Sequence, residues 1–362
     1  MNRRRFLKWS GLGLVAATLG GLGMRQAQAG NRYYSGPVSD HFDGTTFFNP
    51  GGEEPRGFTD LLRWQFGGGK IEWPRPAQAA DVVTTKPEPR VEGSRLVVTM
   101  VGHATLLIQT AGLNILTDPV WSERASPVTF AGPKRANPPG VTFDDLPPID
   151  LVLVTHNHYD HLDIETLKRL VSRDNPAIVT PLGNDTIILG DIPNAAIRVM
   201  DWGDTFDFGR GMIVHCEPCH HWSARGMGDR RMALWAAFVL ETPGGKIYHI
   251  GDTGYNNGTH YRQVKAKHGD IRLAIMPIGA YEPRWFMKAQ HQNPQEAIDG
   301  FLLSSARYGI GHHFGTFQLT NEGIDDPPKA LKVAMERAAL TSAQFRGLRP
   351  GEQFDVPLAE PA

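Results

Sequence analysis

Short apolar runs, separated by turns rich in glycine and proline, characterise most of the chain. Residues 96–101, 104–109 and 113–117 form such runs around the turn Thr110-Ala111-Gly112, which predicts an antiparallel meander. Further strand-like runs follow at 149–154, 212–216, 246–250, 273–278 and 308–311. Helical patterns lie between these later runs. Strands first, and then alternating strands and helices, predict an α/β (α+β) fold with two sheets and helices outside them.

Three helix starts carry capping signals. Asp163 precedes residues 164–171, whose apolar positions follow helical spacing. The tetrapeptide Asn-Pro-Gln-Glu at 293–296 combines a capping residue, a proline at the first helical position and a glutamate three residues after the cap. A further helix is expected to start at 326–328 and to run toward Leu340.

The first 29 residues differ from the rest of the chain. They contain five basic residues, no acidic residue, a weakly apolar run and then the small-x-small sequence Ala27-Gln28-Ala29. Their start, "RRRFLK", resembles the twin-arginine export signal. We therefore expect residues 1–29 to be a signal peptide that meets the twin-arginine export machinery. Residues 30–362 are expected to form a single, exported or periplasmic catalytic domain. An uncleaved anchor is the alternative, but the stretch is short and glycine-rich for a bilayer span.

Charge and cysteine content narrow the classes of function. Without its first 29 residues the chain has a formal net charge of −6 and no basic run, which disfavours nucleic acid as a partner. The two cysteines, Cys216 and Cys219, are spaced C-x-x-C. This spacing is compatible with a disulfide, with metal binding or with two unpaired thiols.

The densest cluster of chemically active residues is "THNHYDHLD" at 155–163, directly after a predicted buried strand. In an extended segment His156 and His158 point the same way, and a turn after them would direct Asp160 and His161 toward a neighbouring point. Imidazoles and carboxylates are good ligands for zinc and similar ions. An ion would also remove the cost of burying these groups together. The motif therefore predicts a metal site.

Other predicted strands end in loops that carry further candidate ligands. These loops contain His221, Asp252 and His313. A carboxylate such as that of Asp252 can bridge two cations about 3.5 to 4 Å apart, which activate water and stabilise both oxygens of a displacement. We therefore interpret the loops together as a two-metal hydrolytic centre.

The ordered set of H-x-H-x-D-H, a later histidine, G-D-T-G and a final histidine resembles the metallo-β-lactamase superfamily. More narrowly, "TDPVWSERASPVTFAGPKR", "GDTGY", "PIGAYEPRWFMK" and "HHFGTF" resemble the N-acyl-phosphatidylethanolamine-hydrolysing phospholipase D group. The resemblance covers about residues 40–340. It implies an αβ/βα four-layer sandwich with two zinc ions, other divalent transition metals being possible.

The resemblance also implies a distribution of the ligands. One ion would be bound by His156, His158 and His221. The other would be bound by Asp160, His161 and His313, with Asp252 bridging the two. The family pattern selects His221 over His220 and His313 over His312. The catalytic candidates are Asp252, Asp160 and His291, the last of which aligns with a family histidine near the substrate.

The function that follows is a binuclear-metal hydrolase, a phosphodiesterase of phospholipase D type. Its substrates would be N-acyl-phosphatidylethanolamine-like lipids, met at a membrane surface. A lactonase, or another ester or thioester hydrolase, is the alternative, because carbonyl substrates need the same activated water. A diiron redox enzyme is disfavoured, since such superfamily members usually carry glutamate where this chain has His158. A non-catalytic scaffold would have lost ligands, and all seven expected positions are present.

Several residues keep two interpretations at this stage. Asp118 is either a hydrogen-bond acceptor for a ligand imidazole or a turn residue before proline. His103 is interpreted as a structural or hydrogen-bonding neighbour rather than a ligand. The stretch at 281–286 either lines an acyl or headgroup pocket or is a packed loop. Four further histidines are expected to be neighbours of the centre rather than ligands: His215, His220, His249 and His312.

Overall fold

The computed structural model describes residues 30–74 and 82–358. The predicted signal peptide at 1–29 lies outside the described residues. Within the described ranges the chain forms 14 strands in two sheets, together with seven α-helices. No helix in these ranges is long and apolar enough to cross a membrane.

The strands follow one another along the chain from residue 96 to residue 356. They are β1 (Leu96–Gly102), β2 (Thr105–Thr110), β3 (Leu113–Thr117), β4 (Leu151–Leu153), β5 (Ala177–Pro181), β6 (Ile197–Met200), β7 (Thr205–Gly209), β8 (Met212–Glu217), β9 (Ala237–Thr242), β10 (Gly245–His249), β11 (Ile271–Pro277), β12 (Ala306–His312), β13 (Phe345–Gly347) and β14 (Gln353–Val356).

The helices alternate with the later strands, apart from one helix that precedes the first sheet. They are α1 (Phe58–Phe66), α2 (Ile164–Arg173), α3 (Asn184–Asp191), α4 (Thr259–His268), α5 (Arg284–Met287), α6 (Pro294–Ser304) and α7 (Asp326–Arg337). A short 3₁₀ turn at Asn256–Gly258 leads into α4.

The two sheets have matching topologies. The first has the strand order β14-β1-β2-β3-β4-β5-β6 and the second has the order β13-β12-β11-β10-β9-β8-β7. In the first sheet pairing is antiparallel from β14 to β3 and parallel from β3 to β6. In the second it is antiparallel from β7 to β10 and parallel from β10 to β13. Each sheet therefore changes from antiparallel to parallel in its middle.

Three apolar cores separate four layers. The central core joins residues of both sheets, such as Leu106 and Leu153 of the first and Phe238 and Ile310 of the second. The outer face of the first sheet packs against α2 and α3. The outer face of the second sheet packs against α4, α6 and α7. This arrangement of helices, sheet, sheet and helices confirms the predicted αβ/βα sandwich.

The predicted helix starts are confirmed, and their caps explain them. The Asp163 side chain accepts a hydrogen bond from the backbone N–H of Thr166 at the start of α2. Asn293 and Glu296 form a reciprocal capping box at the start of α6. The helix predicted from 326 begins there but ends at Arg337, three residues before Leu340.

The eight predicted strands lie where they were expected, with somewhat different lengths, whereas six strands were not predicted: β5, β6, β7, β9, β13 and β14. The run at 149–154 forms a ladder only over β4, although the Val154 N–H still donates to the Val179 carbonyl. The pairing of β14 with β1 joins positions some 250 residues apart, and the local pattern of residues 353–356 did not announce it.

Candidate metal centre

The loop after β4 is held by a carboxylate that follows β3. Asp118 is fully buried, and its side chain accepts hydrogen bonds from the Thr155 N–H at 2.7 Å and the Thr155 hydroxyl at 2.8 Å. The same carboxylate lies 2.8 Å from Nδ1 of His161. Of the two interpretations of Asp118, the structure therefore supports the acceptor that orients an imidazole. The parallel pairing of β3 with β4 brings it there.

Three histidines meet at one side of this loop, and we call them the three-histidine set: His156, His158 and His221. Nδ1 of His158 lies 2.9 Å from Nε2 of His156 and 3.2 Å from Nε2 of His221. His156 and His158 come from the loop after β4, and His221 comes from the loop that follows β8. The rings are buried, His158 less completely than the other two.

The outer nitrogens of this set have fixed partners. Nδ1 of His221 donates to the Gln290 carbonyl at 3.0 Å, so its Nε2 carries a lone pair. Nδ1 of His156 lies 2.9 Å from the Thr155 hydroxyl, whose hydrogen is already donated to Asp118. Nδ1 of His156 therefore carries the ring hydrogen and donates it to this hydroxyl, which leaves a lone pair on Nε2. The lone pairs of His156 Nε2 and His221 Nε2 both face Nδ1 of His158, which can carry only one hydrogen. A cation among the three nitrogens would remove the repulsion between their lone pairs.

A second group lies beside the first, and we call it the mixed set: Asp160, His161 and His313. The Nε2 atoms of His161 and His313 are 3.1 Å apart. Oδ2 of Asp160 is 3.5 Å from the first of these nitrogens and 3.3 Å from the second. His313 follows β12 in a left-handed conformation with φ 65°, and its N–H donates to the His103 carbonyl at 2.9 Å.

Asp252 lies between the two sets. Its Oδ2 is 3.0 Å from His313 Nε2, 3.3 Å from His161 Nε2 and 3.7 Å from His221 Nε2. Its Oδ1 is buried and has no hydrogen-bond partner. The preceding Gly251 has φ 65°, and a Cβ there would come within 2.8 Å of the Thr155 side chain. Only glycine lets the loop after β10 approach the loop after β4 this closely.

The histidines of the two sets differ in the direction of their pKa shifts. Burial lowers the pKa of His158 to about 3 and that of His221 to about 4, and it holds the pKa of His156 well below its usual range. Burial acts the same way on the mixed set, but the carboxylates outweigh it. Asp252 and Asp160 raise the pKa of His161 well above its usual value, and Asp252 raises that of His313 to about 9.

The two carboxylates are ionised. Burial works against their charge, yet the neighbouring imidazoles hold the pKa of both Asp160 and Asp252 well below the usual range; the strongest contribution comes from His161 for Asp160 and from His313 for Asp252. Five imidazole nitrogens and two carboxylates thus converge in a buried space. This donor set fits divalent transition metals.

The third catalytic candidate lies at the edge of the centre. His291 is buried, and its Nδ1 is 3.8 Å from Oδ2 of Asp252 and has no hydrogen-bond partner. Its backbone carbonyl accepts a hydrogen bond from Arg284 at 2.9 Å. The structure therefore brings all the predicted site residues together, His291 less closely than the other seven.

The remaining histidines differ in their relation to the centre. His103 lies closest, with Nε2 at 2.9 Å from Oδ2 of Asp160, a contact that the sequence interpretation left unspecified. His249 is 3.8 Å from Oδ2 of Asp118, and its ring lies 5.4 Å from that of His312. His220 Nε2 instead lies 3.0 Å from the Asn256 side chain.

A separate cluster of ionisable groups lies on the outer face of the second sheet. It contains His215, Glu217 and His268. Glu217 Oε1 is 2.8 Å from both the His268 Nε2 and the Lys267 ammonium, so this carboxylate is already paired. The expectation that His215 neighbours the centre is wrong, because it points toward Glu241 at 3.4 Å and His268. Cys216 and Cys219 are buried free thiols, not a disulfide.

Comparison with known proteins gives the same fold and names its class. Residues 113–314 match the family model described as the Beta-lactamase superfamily domain. An isothiocyanate hydrolase from Delia radicum gut bacteria superposes with a TM-score of 0.57 at 20% identity, covering 71% of this chain and 98% of that one. At that identity the similarity concerns the fold alone. The fold and the family match together define a metal-dependent hydrolase.

The chain belongs to the metallo-β-lactamase superfamily. Among its relatives, N-acyl-phosphatidylethanolamine-hydrolyzing phospholipase D 1 of Caenorhabditis elegans is 38% identical over 274 residues, which are 73% of this chain and 76% of that protein. The mitochondrial phospholipase D of the same description from Saccharomyces cerevisiae is 33% identical over 252 residues, 68% of this chain and 53% of that protein.

Proposed function

We propose that the protein is a binuclear zinc phosphodiesterase of phospholipase D type that acts on N-acyl-phosphatidylethanolamine-like lipids. One observation carries the proposal: the three-histidine set and the mixed set lie side by side, and the Asp252 carboxylate faces both. The relative from Caenorhabditis elegans, whose name states this activity, supports the choice of substrate.

In this proposal the seven side chains would hold two divalent ions, and the Asp252 carboxylate, which faces both sets, would be available to both. Bound zinc ions lower the pKa of water and withdraw charge from phosphoryl oxygens. Asp118 keeps His161 in the tautomer whose Nε2 faces the centre, and the Gln290 carbonyl does the same for His221. These contacts fix the ligand orientations before the substrate arrives.

His291 is placed to act on the substrate rather than on an ion. Its ring lies 5.0 Å from that of His221 and 5.7 Å from that of His313. Burial lowers its pKa well below the usual range, so the ring is neutral and can donate a hydrogen bond from one nitrogen and accept one at the other. We propose that it hydrogen-bonds to the phosphodiester or to the departing alcohol oxygen.

The surface next to His291 suits a lipid. Helix α1 buries none of its residues, and among its exposed apolar side chains are Phe58, Leu62 and Phe66. Trp64 of the same helix stacks on Phe286 of α5 at 5.0 Å. Helix α5 leads into the loop that carries His291. We propose that α1 contacts the acyl region of aggregated lipid, which a small lactone would not require.

A cavity of about 580 Å³ lies between this helix and the loops at 132–136 and 318–321. Trp64, Trp73 and Leu319 give it apolar walls, which suit acyl chains. Its lining also includes Lys70 and Lys134, the latter paired with Glu123 at 2.7 Å, but none of the seven candidate metal ligands. Within residues 281–286, Tyr281 is buried and Trp285 is exposed. The interpretation as a packed loop therefore applies to Tyr281, and a role in an acyl or headgroup pocket stays a prediction.

Product analysis tests the proposal. Zinc-loaded protein is incubated with N-acyl-phosphatidylethanolamine vesicles, acyl-lactones and thioesters, and the products are identified by mass spectrometry. We expect phosphatidate and the free N-acylethanolamine, and neither product with Asp252→Asn. Cleavage of a lactone or thioester with the phospholipid untouched would favour the alternative hydrolase on the same centre.

A further inference from the structure

The backbone of His103 has a left-handed conformation, which residues with a Cβ rarely adopt. It lies in the tight turn between β1 and β2, where Gly102 pairs with Thr105, and its φ is 59°. Glycine or asparagine adopts this conformation at lower cost. A buried histidine in such a conformation points to a role for its side chain.

The contacts of the ring are specific. Nε2 of His103 lies 2.9 Å from Oδ2 of Asp160, the oxygen that also faces His161 and His313. The ring packs 4.1 Å from that of His313 and meets Phe317 edge-on at 5.2 Å. An ionised carboxylate accepts hydrogen bonds but cannot donate them. Nε2 of His103 therefore carries the hydrogen, and the bond fixes Asp160 in one orientation.

The backbone of His103 is coupled to the same set. Its carbonyl accepts the N–H of His313 at 2.9 Å, and both residues have positive φ. The turn between β1 and β2 in the first sheet thus contacts the loop after β12 in the second. One residue holds two members of the mixed set, Asp160 through its side chain and His313 through its carbonyl.

We propose that His103 is a positioning residue for the metal held by the mixed set, acting through its hydrogen bond to Asp160. The inference rests on the metal centre of the proposed function but not on its substrate. By donating to the carboxylate, His103 holds Oδ2 in the orientation that faces His161 and His313. Loss of such a partner typically weakens metal binding by about 10- to 100-fold. The three-histidine set does not contact His103 and is expected to keep its affinity.

The test is a titration of metal-free protein with Co²⁺, followed by visible absorption and by competition with a chelator. His103→Asn suits the backbone but is too short to reach Asp160, so it separates the side-chain contact from the fold. We expect unchanged thermal stability or a small gain, one cobalt bound as in the wild type, and the other bound about 10- to 100-fold more weakly. His103→Gln, whose amide nitrogen reaches farther and is a poor metal ligand, should restore much of the affinity.

Two further variants complete the design. In the Asp160→Ala background, adding His103→Asn should change cobalt affinity by less than about twofold, since the acceptor of the hydrogen bond is already lost. His41→Asn is the matched control, because His41 is also buried but pairs with Asp40 and Asp201. It should bind cobalt like the wild type.

The outcomes separate the two proposals. Two cobalt ions bound to His103→Asn with wild-type affinity, an equal loss at both sites, or no recovery with His103→Gln would overturn this inference alone. An undiminished effect of His103→Asn in the Asp160→Ala background would do the same. A wild-type protein that binds fewer than two cobalt ions would overturn the proposed function together with the inference.

Discussion

The three-histidine set and the mixed set are neighbours in space, but their histidines differ in charge. The first consists of neutral imidazoles whose pKa values burial depresses, to about 3 for His158 and about 4 for His221. In the second, carboxylates raise the pKa of His313 to about 9 and that of His161 well above its usual value. The metal-free protein thus presents free lone pairs on one side and protonated imidazoles on the other.

This difference has a consequence for metal loading. An ion can enter the three-histidine set without displacing protons at neutral pH, whereas an ion in the mixed set has to displace them. Asp252 faces both sets, so in the proposed two-metal centre the two loading events would be coupled through one carboxylate. Variants that perturb one set at a time measure how far the two sets are independent.

The largest effect is expected at Asp252, the carboxylate that faces both sets. Asp252→Asn removes the charge that faces both sets, and we expect hydrolysis to fall by about 10³-fold or more, together with a loss of bound metal. Turnover kinetics and elemental analysis measure the two effects. Asp325→Asn, an exposed carboxylate before α7, is the control and should behave like the wild type. Near-wild-type turnover of Asp252→Asn would show that the bridge is not catalytic.

A somewhat smaller effect is expected at His291, which faces the centre from outside both sets. His291→Gln should lower kcat by about 10²-fold, the range for loss of one hydrogen bond aimed at the reacting group, while both metals remain bound. Turnover rates and metal content are compared with those of His220→Gln, a buried histidine that faces Asn256. Loss of a metal with His291→Gln would make this residue a ligand instead.

Asp118 contacts the mixed set directly, through His161, and reaches the three-histidine set only through Thr155, so its replacement should act mainly on the mixed set. Asp118→Asn leaves the shape of the side chain but weakens the bond to His161 Nδ1. We expect about a 10- to 100-fold loss of affinity for one metal and little change for the other. Chelator competition measures both affinities. Equal weakening of both would mean that Asp118 acts through the whole β3–β4 edge, most directly through its bonds to Thr155.

The smallest effect concerns the number of protons that the protein releases when it binds metal. A group with a raised pKa is charged below that value, so His313 and His161 are protonated in metal-free protein at pH 7 and become neutral as metal binds. Calorimetry in buffers of different ionisation enthalpy should show release of about two protons for the two metals at pH 7. Affinity at the mixed set should rise with pH toward 9. No proton release at pH 7 would contradict the assigned charges.

Sequence patterns predicted which side chains lie together at the candidate site better than they predicted the sheets. His156, His158, Asp160 and His161 lie in one loop, and strand-end positions of the others indicated one edge of the fold. The pairing of β14 with β1 and the three-residue β13 could not be inferred, because short strands depend on distant partners rather than on their own propensity.

The contacts that orient the ligands were also difficult to foresee. The Gln290 carbonyl that binds His221 carries no side-chain signature, since any residue could supply it. The role of His103 depends on a left-handed turn that only the structure reveals. Asp118 could be suggested from its place at a strand end but not distinguished from a turn residue. Four of the seven candidate ligands are neighbours in sequence, whereas the groups that orient them come from distant parts of the chain.

The most direct test of the two-set account is anomalous diffraction at the zinc absorption edge from crystals of zinc-loaded protein. We predict two peaks about 3.5 to 4 Å apart, one within reach of His156, His158 and His221, the other of Asp160, His161 and His313, with Asp252 touching both. A single peak, or a second peak away from Asp252, would contradict the account.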